Sequence, residues 1–566
     1  MKRGGFFIWA FGIFVVCFFS ASFYLASHRS LCETLEAESA LVAKAFFTGK
    51  ATLINQLNGK EDLDKPPGFY WLIAALYNVS PSWEVAARLP SILAIALFLF
   101  LFWKVAKISG FDKRLYILWA FSFLFCPKIF WMSQIARMDL FFSALCFLSI
   151  YFFIMAIGPG QAIEEAKTHP LKQQYLLYFY ISTALAVMFK GPLGAVLIFG
   201  TVFFFLLFEK RPRLFKDIFF SPYLLVFLAL SIPWYVYVTI KTDFRFFHRF
   251  ILEENLSRFT NLLPGVSIKE FNHSPSTRYV VYLLTGFFPW SLLVPIWLYK
   301  VFKTWKLQDS TSKVFFIYFC FLFLFFSLAM SKRSDYILPL YPAAAFFSAR
   351  LLFEDKKVKF LKNFWSGTSL FLCVIFFILF LSGAYFSLYG DNFIQASFIK
   401  QEQRELASFL IKIISNEYLL FFMPFLGFAA FLAKFRKREG EQSVSFFFIC
   451  GAISILVVGI VTLPAIYKGK DARPFCLQVK RIVGSSPLYY AGFWDEECTF
   501  YLDRIIEKLP LQKAAKLLQT SSRSDEKGLF FIIDKKRYSR LKKMGISFKV
   551  EYKDKKLVLR PLFLVK

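Results

Sequence analysis

The feature that most constrains this chain is a series of apolar stretches, each about 18–25 residues long, that recurs along its 566 residues. A helix needs about 20 predominantly apolar residues to cross the hydrocarbon core of a bilayer, so each stretch is long enough to span it. The composition agrees, since 57% of the residues are hydrophobic and 21% are aromatic. We therefore predict a polytopic α-helical membrane protein.

Counting the apolar stretches predicts about thirteen transmembrane helices, with boundaries defined only to within several residues. The first stretch follows MKRGG, and no A-x-A-like site precedes His28-Arg29, so we expect an uncleaved anchor rather than a signal peptide. The predicted spans lie near residues 6–26, 84–106, 115–131, 139–157, 174–189, 191–208, 218–239, 279–299, 314–330, 336–353, 365–388, 418–434 and 444–466.

The basic residues of the connections predict the orientation, because Lys and Arg in short loops collect on the cytoplasmic side. With the N-terminus inside, the expected cytoplasmic connections include four basic ones: EKRPRLFK (209–216), YKVFKTWK (299–306), EDKKVKFLK (354–362) and KFRKRE (434–439). The predicted number of spans is odd, so residues 467–566 are expected on the outer, periplasmic face of a bacterial inner membrane. The formal net charge of +30 then reflects topology and anionic membrane lipids, and we predict no nucleic-acid partner.

Residues 467–566 differ from the rest of the chain, because they are rich in lysine and contain the strand-like runs PLYYAG, GLFFIID and FKVEYKDKKLVLRPL. We predict a small α/β domain there, following a transmembrane domain at 1–466 whose first outer loop is 28–83. Of the nine cysteines, only Cys32, Cys476 and Cys498 fall in predicted aqueous segments. Because the outer side is oxidising, we hypothesise a Cys476–Cys498 disulfide.

Ionisable residues collect at the predicted outer ends of the spans. They lie in the first outer loop, at the mouth of the span near 139–157, at the break between two spans near 190, in the loop 240–278 and in SKRSDY. Ionisable residues at membrane depth are costly and are functional candidates by default. The set comprises Glu33, Glu36, Glu38, Asp64, Lys65, Arg137, Asp139, Lys190, Arg258, Lys332, Arg333 and Asp335.

The residue types in this set limit the reactions that it could catalyse. Several cations beside the membrane suit a phosphate or pyrophosphate group, and a nearby acid suits a general base that takes a proton from a hydroxyl or amine. In LDKPP, Pro66 and Pro67 fix backbone φ and would hold Lys65 rigidly, as in a preorganised phosphate clamp.

Other familiar sites are not supported by the sequence. No P-loop, GxGxxG, HExxH or GxSxG pattern is evident, which removes the motif support for nucleotide hydrolysis and serine-hydrolase chemistry. The residues His248, His273, Asp64, Glu253 and Glu254 could ligate a divalent cation, but their spacing is not diagnostic. We predict no metal site and no cofactor.

Eight short stretches, taken in order, carry a resemblance to a known family. They are EAESALVAKAFFTGK, NGKEDLDKPPGFYWLIA, WEVAARLPS, ARMDLFFS, FKGPLGAVL, EENLSRFT, GFFPWS and SKRSDYILPLYPA. The chain resembles the polyprenyl-phosphate-dependent glycosyltransferases of the GT-C fold, specifically the group that contains the lipid A aminoarabinose transferase and the protein O-mannosyltransferases. The resemblance implies two helices along the outer surface in the first loop and a C-terminal periplasmic α/β domain.

The resemblance also implies a reaction and a donor. A sugar would pass from a polyprenyl phosphate carrier to an acceptor, which attacks the anomeric carbon with inversion while the lipid phosphate leaves. The acceptor is open between lipid A, another glycolipid and a protein, and the sugar is also open.

The resemblance further implies roles for individual residues. Lys65, Lys190 and a basic residue of SKR, Lys332 or Arg333, would hold the phosphate, with Arg137 or Arg258 assisting. The family opens its first loop with an Asp-Glu pair whose aspartate helps to activate the acceptor, and Leu35-Glu36 falls at that pair here. Glu36 is retained and is expected to be catalytic, with Asp139 and Glu33 as further catalytic candidates, and Glu33, Glu38 or Asp139 could supply the base in place of the missing aspartate. Further expected site residues are Asp64, Pro66, Pro67, Asp335 and Tyr336.

Two other classes of membrane protein would also handle lipid-linked sugars. A transporter or flippase should show repeated halves and polar residues near helix midpoints, whereas the charges here gather at one face. A glycan polymerase or ligase would share the donor but normally presents a large outer loop late in the chain. We therefore rank both below a glycosyltransferase.

Overall fold

A computed structural model describes residues 3–33, 35–158, 171–256, 277–330, 332–354, 358–395, 401–435, 441–521, 529–546, 548–553 and 562–565. α-Helices make up most of these residues. They are α1 (Arg3–His28), α2 (Glu36–Phe47), α3 (Gly68–Tyr77), α4 (Trp83–Ile108), α5 (Lys113–Leu124), α6 (Pro127–Met132), α7 (Met138–Ile157), α8 (Gln173–Lys190), α9 (Leu193–Phe208), α10 (Pro212–Phe219), α11 (Tyr223–Lys241), α12 (Arg278–Gly286), α13 (Val294–Lys303), α14 (Ser310–Leu328), α15 (Tyr341–Glu354), α16 (Val358–Gln395), α17 (Gln401–Phe435), α18 (Glu441–Leu456), α19 (Leu463–Lys468), α20 (Arg473–Val483), α21 (Glu496–Leu502), α22 (Leu511–Ser521) and α23 (Lys535–Lys543).

The prediction of a polytopic membrane protein is confirmed. Within the described residues, seven helices are long and apolar enough to cross a membrane, or eight if a bent pair at 407–416 and 419–433 counts as one span. The seven are Gly5–His28, Trp83–Ile108, Met138–Ile157, Tyr223–Lys241, Ser310–Leu328, Phe364–Tyr389 and Val444–Val483.

The predicted count of about thirteen is not confirmed, because several apolar stretches are short or interrupted. The stretch near 115–131 divides into α5 and α6 at Pro127, which begins the second helix. The stretch near 279–299 divides into α12 and α13, with a 3₁₀ turn at Trp290–Leu293 between them. Proline removes a backbone donor and clashes with the preceding turn, so it interrupts a helix that hydrophobicity alone would continue.

The first outer loop lies between α1 and α4 and contains a short hairpin as well as two helices. Strands β1 (Gln56–Leu57) and β2 (Lys60–Glu61) pair antiparallel. The turn residues Asn58 and Gly59 have positive φ values of 50° and 76°, which Asn-Gly adopts readily in two-residue hairpins. Both predicted helices of this loop, α2 and α3, are present.

The prediction of a C-terminal α/β domain is also confirmed. Its sheet has the order β4-β3-β5-β7-β6, in which β3 is parallel to β4 and β5, while β7 is antiparallel to β5 and β6. Two separate apolar clusters pack against this sheet. One contains Tyr490 and Ile532, and the other contains Phe531 and Ile533. This alternation places an apolar core on each face of the sheet. The strands are β3 (Leu488–Ala491), β4 (Glu507–Leu509), β5 (Phe530–Asp534), β6 (Val550–Lys553) and β7 (Leu562–Val565).

The C-terminal domain packs against the first outer loop. Lys44 of α2 forms a 2.7 Å ion pair with Asp503, and the Asn58 side chain donates a 2.9 Å hydrogen bond to the Ile506 carbonyl. The Cys476–Cys498 disulfide joins α20 to α21, which confirms the pairing that we hypothesised. The domain therefore stands on the side of the helical bundle from which the first loop projects.

Candidate active site

A pocket with a volume of about 140 Å³ opens where the first outer loop meets the helical bundle. Segments distant in sequence supply its walls: the loop before α3, the start of α7, the end of α8, a π-helix at Phe247–Asn255 and the segment between α14 and α15. Its charged lining consists of Lys65, Arg137, Lys190, Arg333, Asp64, Asp139 and Glu254.

Asp139 occupies the centre of the charged lining. Its Oδ1 lies 2.6 Å from the Lys190 ammonium and its Oδ2 lies 3.4 Å from Nε of Arg137. Lys190 is the last residue of α8, and Asp139 is the second residue of α7. The ring of Tyr336 lies 5.1 Å from the Lys190 ammonium, close enough for a cation–π contact.

Asp335 anchors the cations from behind the pocket. Its carboxylate is 2.8 Å from Nη1 of Arg137, 2.5 Å from Nζ of Lys128 and 3.7 Å from Nη2 of Arg333. Asp335 is buried and is not among the residues that line the pocket. It therefore positions Arg137 and Arg333 rather than contacting a ligand in the pocket.

Lys65 is held by contacts on both its backbone and its side chain. The Asn55 side chain donates a 2.7 Å hydrogen bond to the Lys65 carbonyl, and the ammonium lies 2.6 Å from Glu38. Gly68 then allows the loop to approach α8, because a Cβ there would lie 2.6 Å from the Met188 carbonyl oxygen. The segment from Lys65 to Gly68 is thereby fixed against the helix that ends in Lys190.

Asp62 lies beside Lys65 in an unfavourable environment for a charged carboxylate. Burial raises the pKa of Asp62 to about 6, and Asp64 and Glu38 also raise it, while Lys65 acts in the opposite direction. Among the described residues, Oδ2 of Asp62 has no hydrogen-bond partner. The Asp62 carboxyl therefore gains or loses its proton at mildly acidic pH.

Glu36 does not lie in the pocket. Its carboxylate is fully buried and accepts hydrogen bonds from Nε and Nη2 of Arg88, both at 2.8 Å, and from Nη2 of Arg29 at 2.9 Å. The backbone amides of Ala136 and Glu33 donate two more, at 3.0 and 3.2 Å. Burial alone would raise the pKa of Glu36, but Arg29 and Arg88 outweigh it and hold the pKa below its usual range.

This arrangement corrects our expectation of Glu36 as the catalytic acid–base residue. A carboxylate that satisfies two buried guanidinium groups has no free oxygen to offer an acceptor. Glu36 instead connects the residue after α1, the second turn of α4 and the segment before α7, and of these the last lines the pocket through Ala136 and Arg137. Leu35, whose φ of 72° is left-handed, lines the pocket in its place.

Other predicted site residues lie outside the pocket. The Lys332 ammonium is buried and donates to the Ala329 carbonyl at 2.5 Å, so Arg333 is the cation of SKR that lines the pocket. Pro66 lines the pocket, whereas Pro67 precedes α3 as its N-terminal cap. Glu33 pairs with Lys470 at 2.7 Å. Arg258 lies outside the described residues.

The structure adds contacts around the pocket that the sequence did not indicate. Lys128 falls inside a predicted span, which concealed its pairing with Asp335. Glu254 and Asn255 line the pocket from the π-helix, and Asp64 pairs with Arg249 of that helix at 2.7 Å. Within the described part of the chain, no group of three or more His, Cys, Asp or Glu residues is placed to hold a metal ion.

A second cavity of about 490 Å³ adjoins the pocket, and Leu35 lines both. It lies between the first outer loop and the C-terminal domain, which contributes Phe493, Trp494 and Asp534. The first loop contributes Glu33 and Glu38. We call this cavity the domain cleft.

The bundle, the outer loop with its charged pocket and the C-terminal sheet together define a polytopic membrane protein of the GT-C fold. The structure superposes on the crystal structure of ArnT from Cupriavidus metallidurans bound to undecaprenyl phosphate, with a TM-score of 0.76 and 16% identity over 97% of each chain. The resemblance inferred from the sequence is thereby confirmed at the level of the fold.

Comparison of sequences gives three further similarities. Residues 64–237 match the model of the dolichyl-phosphate-mannose-protein mannosyltransferase family. An uncharacterized protein of Aquifex aeolicus is 25% identical over 86% of this chain and 85% of its own length. The undecaprenyl phosphate-alpha-4-amino-4-deoxy-L-arabinose arabinosyl transferase of Photorhabdus laumondii is 22% identical over 58% of this chain and 57% of its own length.

Proposed function

We propose that this protein is an inverting glycosyltransferase that moves a sugar from an undecaprenyl-type phosphate carrier to an acceptor at the outer face of a bacterial inner membrane. The observation that carries the proposal is the convergence of Lys65, Arg137, Lys190 and Arg333 on one pocket at the end of the helical bundle. Cations in such a site provide charge-assisted hydrogen bonds to a phosphate. The fold and the sequence matches support the same class of donor.

The ion pairs in the pocket suggest how the donor phosphate enters. The Lys65 and Lys190 ammonium groups each contact a carboxylate at 2.6 Å. A phosphate carries acceptor oxygens of the same kind, so it can replace these carboxylates as the partner of each half-buried lysine. Because the pocket volume is only about 140 Å³, we place the phosphate there and the sugar toward the domain cleft.

Asp139 is the residue that we assign as general base, because it alone among the predicted bases Glu33, Glu36, Glu38 and Asp139 lines the pocket. When the phosphate replaces Asp139 as the partner of Lys190, the Asp139 carboxylate can accept the proton of the incoming hydroxyl or amine. The acceptor atom forms a bond to the anomeric carbon as the carbon–oxygen bond to the phosphate breaks. The bonding pair leaves with the carrier phosphate, whose added negative charge the pocket cations stabilise.

The domain cleft offers a route for the acceptor, because it shares a wall with the pocket. Its carboxylates can accept hydrogen bonds from hydroxyl or ammonium groups, and Trp494 adds an apolar face with an indole N–H. These groups favour a neutral or amine-bearing acceptor over a phosphorylated one. Replacement of Trp494 by Ala should raise the KM for the acceptor and leave the KM for the donor unchanged; an unchanged acceptor KM would exclude this route.

The direct test is to incubate the purified protein with an undecaprenyl-phosphate-linked sugar and an envelope extract. A glycosyltransferase releases undecaprenyl phosphate and gains a glycosylated product in equal amounts. A flippase moves the donor across a vesicle without breaking it, so intact donor on the opposite leaflet would favour that alternative. Products with several added repeats would favour a polymerase.

A further inference from the structure

An apolar groove runs along α9 and α14 and reaches the end of the bundle opposite the active-site pocket. Helix α9 runs from Leu193, which lines the pocket, to Phe208, which lines the groove, a distance of roughly 22 Å for a helix of this length. Helix α14 lines the groove from Phe316 to Leu324 and the pocket at Phe326, so the two cavities approach each other along this helix. We call this cavity the distal groove; its volume is about 670 Å³.

The distal groove has a mostly apolar lining with two lysines. Phe204, Phe321 and Leu324 are among the apolar residues that line it. Lys303 and Lys306, which are both exposed, line it from the end of α13 and the segment that follows. None of the described residues that line the groove is acidic.

Buried charges near the groove add to its positive potential. Lys313 and Glu209 form a buried 3.2 Å ion pair, so together they contribute no net charge. Arg211 follows two residues after Glu209, is 6% exposed, and has no hydrogen-bond partner for any guanidinium nitrogen among the described residues. Among the described residues, Arg211, Lys303 and Lys306 form no ion pair, and Glu209, which is already paired with Lys313, is the acid nearest in sequence to Arg211.

We propose that the distal groove binds an anionic glycerophospholipid, with an acyl chain among the phenylalanine side chains and the phosphate at Lys303 and Lys306. We choose an anionic lipid because its phosphate complements the charge of the two lysines, and a basic pocket between transmembrane helices attracts such a phosphate. The apolar side chains that line the groove supply van der Waals contacts for a chain. This site is separate from the proposed donor site and does not depend on glycosyl transfer.

Native mass spectrometry of the full-length protein tests the proposal. The protein is delipidated in detergent and offered equal amounts of phosphatidylglycerol and phosphatidylcholine with identical acyl chains. We expect at least a fivefold preference for phosphatidylglycerol. The Lys303→Ala/Lys306→Ala double variant should lose that preference, while Lys104→Ala/Lys107→Ala, which removes two lysines from α4 outside the groove, should retain it.

Further probes separate this lipid from other occupants. The Cys320→Trp variant places a bulky ring in the groove and should lower retention of phosphatidylglycerol. Equal retention of the two phospholipids by the wild type, equal loss in both double variants, or full retention in Cys320→Trp would overturn the proposal. Displacement of phosphatidylglycerol by equimolar undecaprenyl phosphate would overturn it too, because the groove would then bind the carrier lipid.

Discussion

The Lys190 ammonium lies 2.6 Å from the carboxylate of Asp139, and both residues line the same pocket. A bound phosphate would pair with Lys190 and leave the Asp139 carboxylate available as the base. We therefore expect Asp139→Asn to lower kcat by about 10²–10⁴-fold without raising the KM for the donor. Initial rates at varied donor concentration provide the measurement. Asp112→Asn, which changes an aspartate that caps α5 instead, is the matched control; wild-type turnover in Asp139→Asn would remove this residue as the base.

Lys65 provides a second test of the phosphate site. Removal of a charged hydrogen-bond partner costs about 1.5–3 kcal/mol, so Lys65→Ala should lower donor affinity by about 10- to 150-fold. Binding of undecaprenyl phosphate to the purified variant gives this value directly. Lys60→Ala removes an exposed lysine from the same loop and should bind normally; equal affinities of the two variants would contradict a phosphate clamp at Lys65.

Glu36 is predicted to act on stability rather than on chemistry. Glu36→Gln leaves two buried guanidinium groups without their counter-charge, which costs about 3–5 kcal/mol for a buried pair. The thermal unfolding midpoint in detergent should fall clearly, whereas Glu61→Gln, in an exposed pair with Arg245, should leave it nearly unchanged. A Glu36→Gln protein with normal stability and no turnover would restore Glu36 as a catalytic residue.

Asp62 should make stability depend on pH. Its pKa is about 6 in the folded protein against an ordinary 3.8, so between these values the folded state holds a proton that the unfolded chain releases. Stability from this residue is therefore greatest below about pH 4 and is lost as the pH rises toward 6. Asp62→Asn should raise the unfolding midpoint at pH 7.5 and have little effect at pH 4; an equal effect at both pH values would show that Asp62 is not perturbed.

The sequence predicted the class of fold because its signals are local. Apolar length marks the membrane helices, and the alternation in GLFFIID marks a strand of the C-terminal sheet. The motifs ARMD, KGP and SKR, which fall at the ends of apolar spans, and KPP in the first outer loop also indicated the cations of the pocket.

The assignment of roles within the site required three-dimensional contacts. Glu36 and Asp139 are both acids near span ends, and only the positions of Arg29 and Arg88 distinguish the buried structural carboxylate from the one that lines the pocket. Lys332 and Arg333 are adjacent in sequence, yet of their two side chains only that of Arg333 lines the pocket. Such differences arise from side-chain direction, which spacing along the chain does not encode.

The most direct test of glycosyl transfer is a mass comparison of envelope lipids and secreted glycoproteins from three strains: one lacking this protein, one carrying the wild type and one carrying Asp139→Asn. We expect a product heavier by one sugar in the wild-type strain alone, and its mass would also reveal the sugar class and the acceptor. The same masses in all three strains, with the wild-type protein expressed and the carrier-linked sugar present, would contradict this expectation.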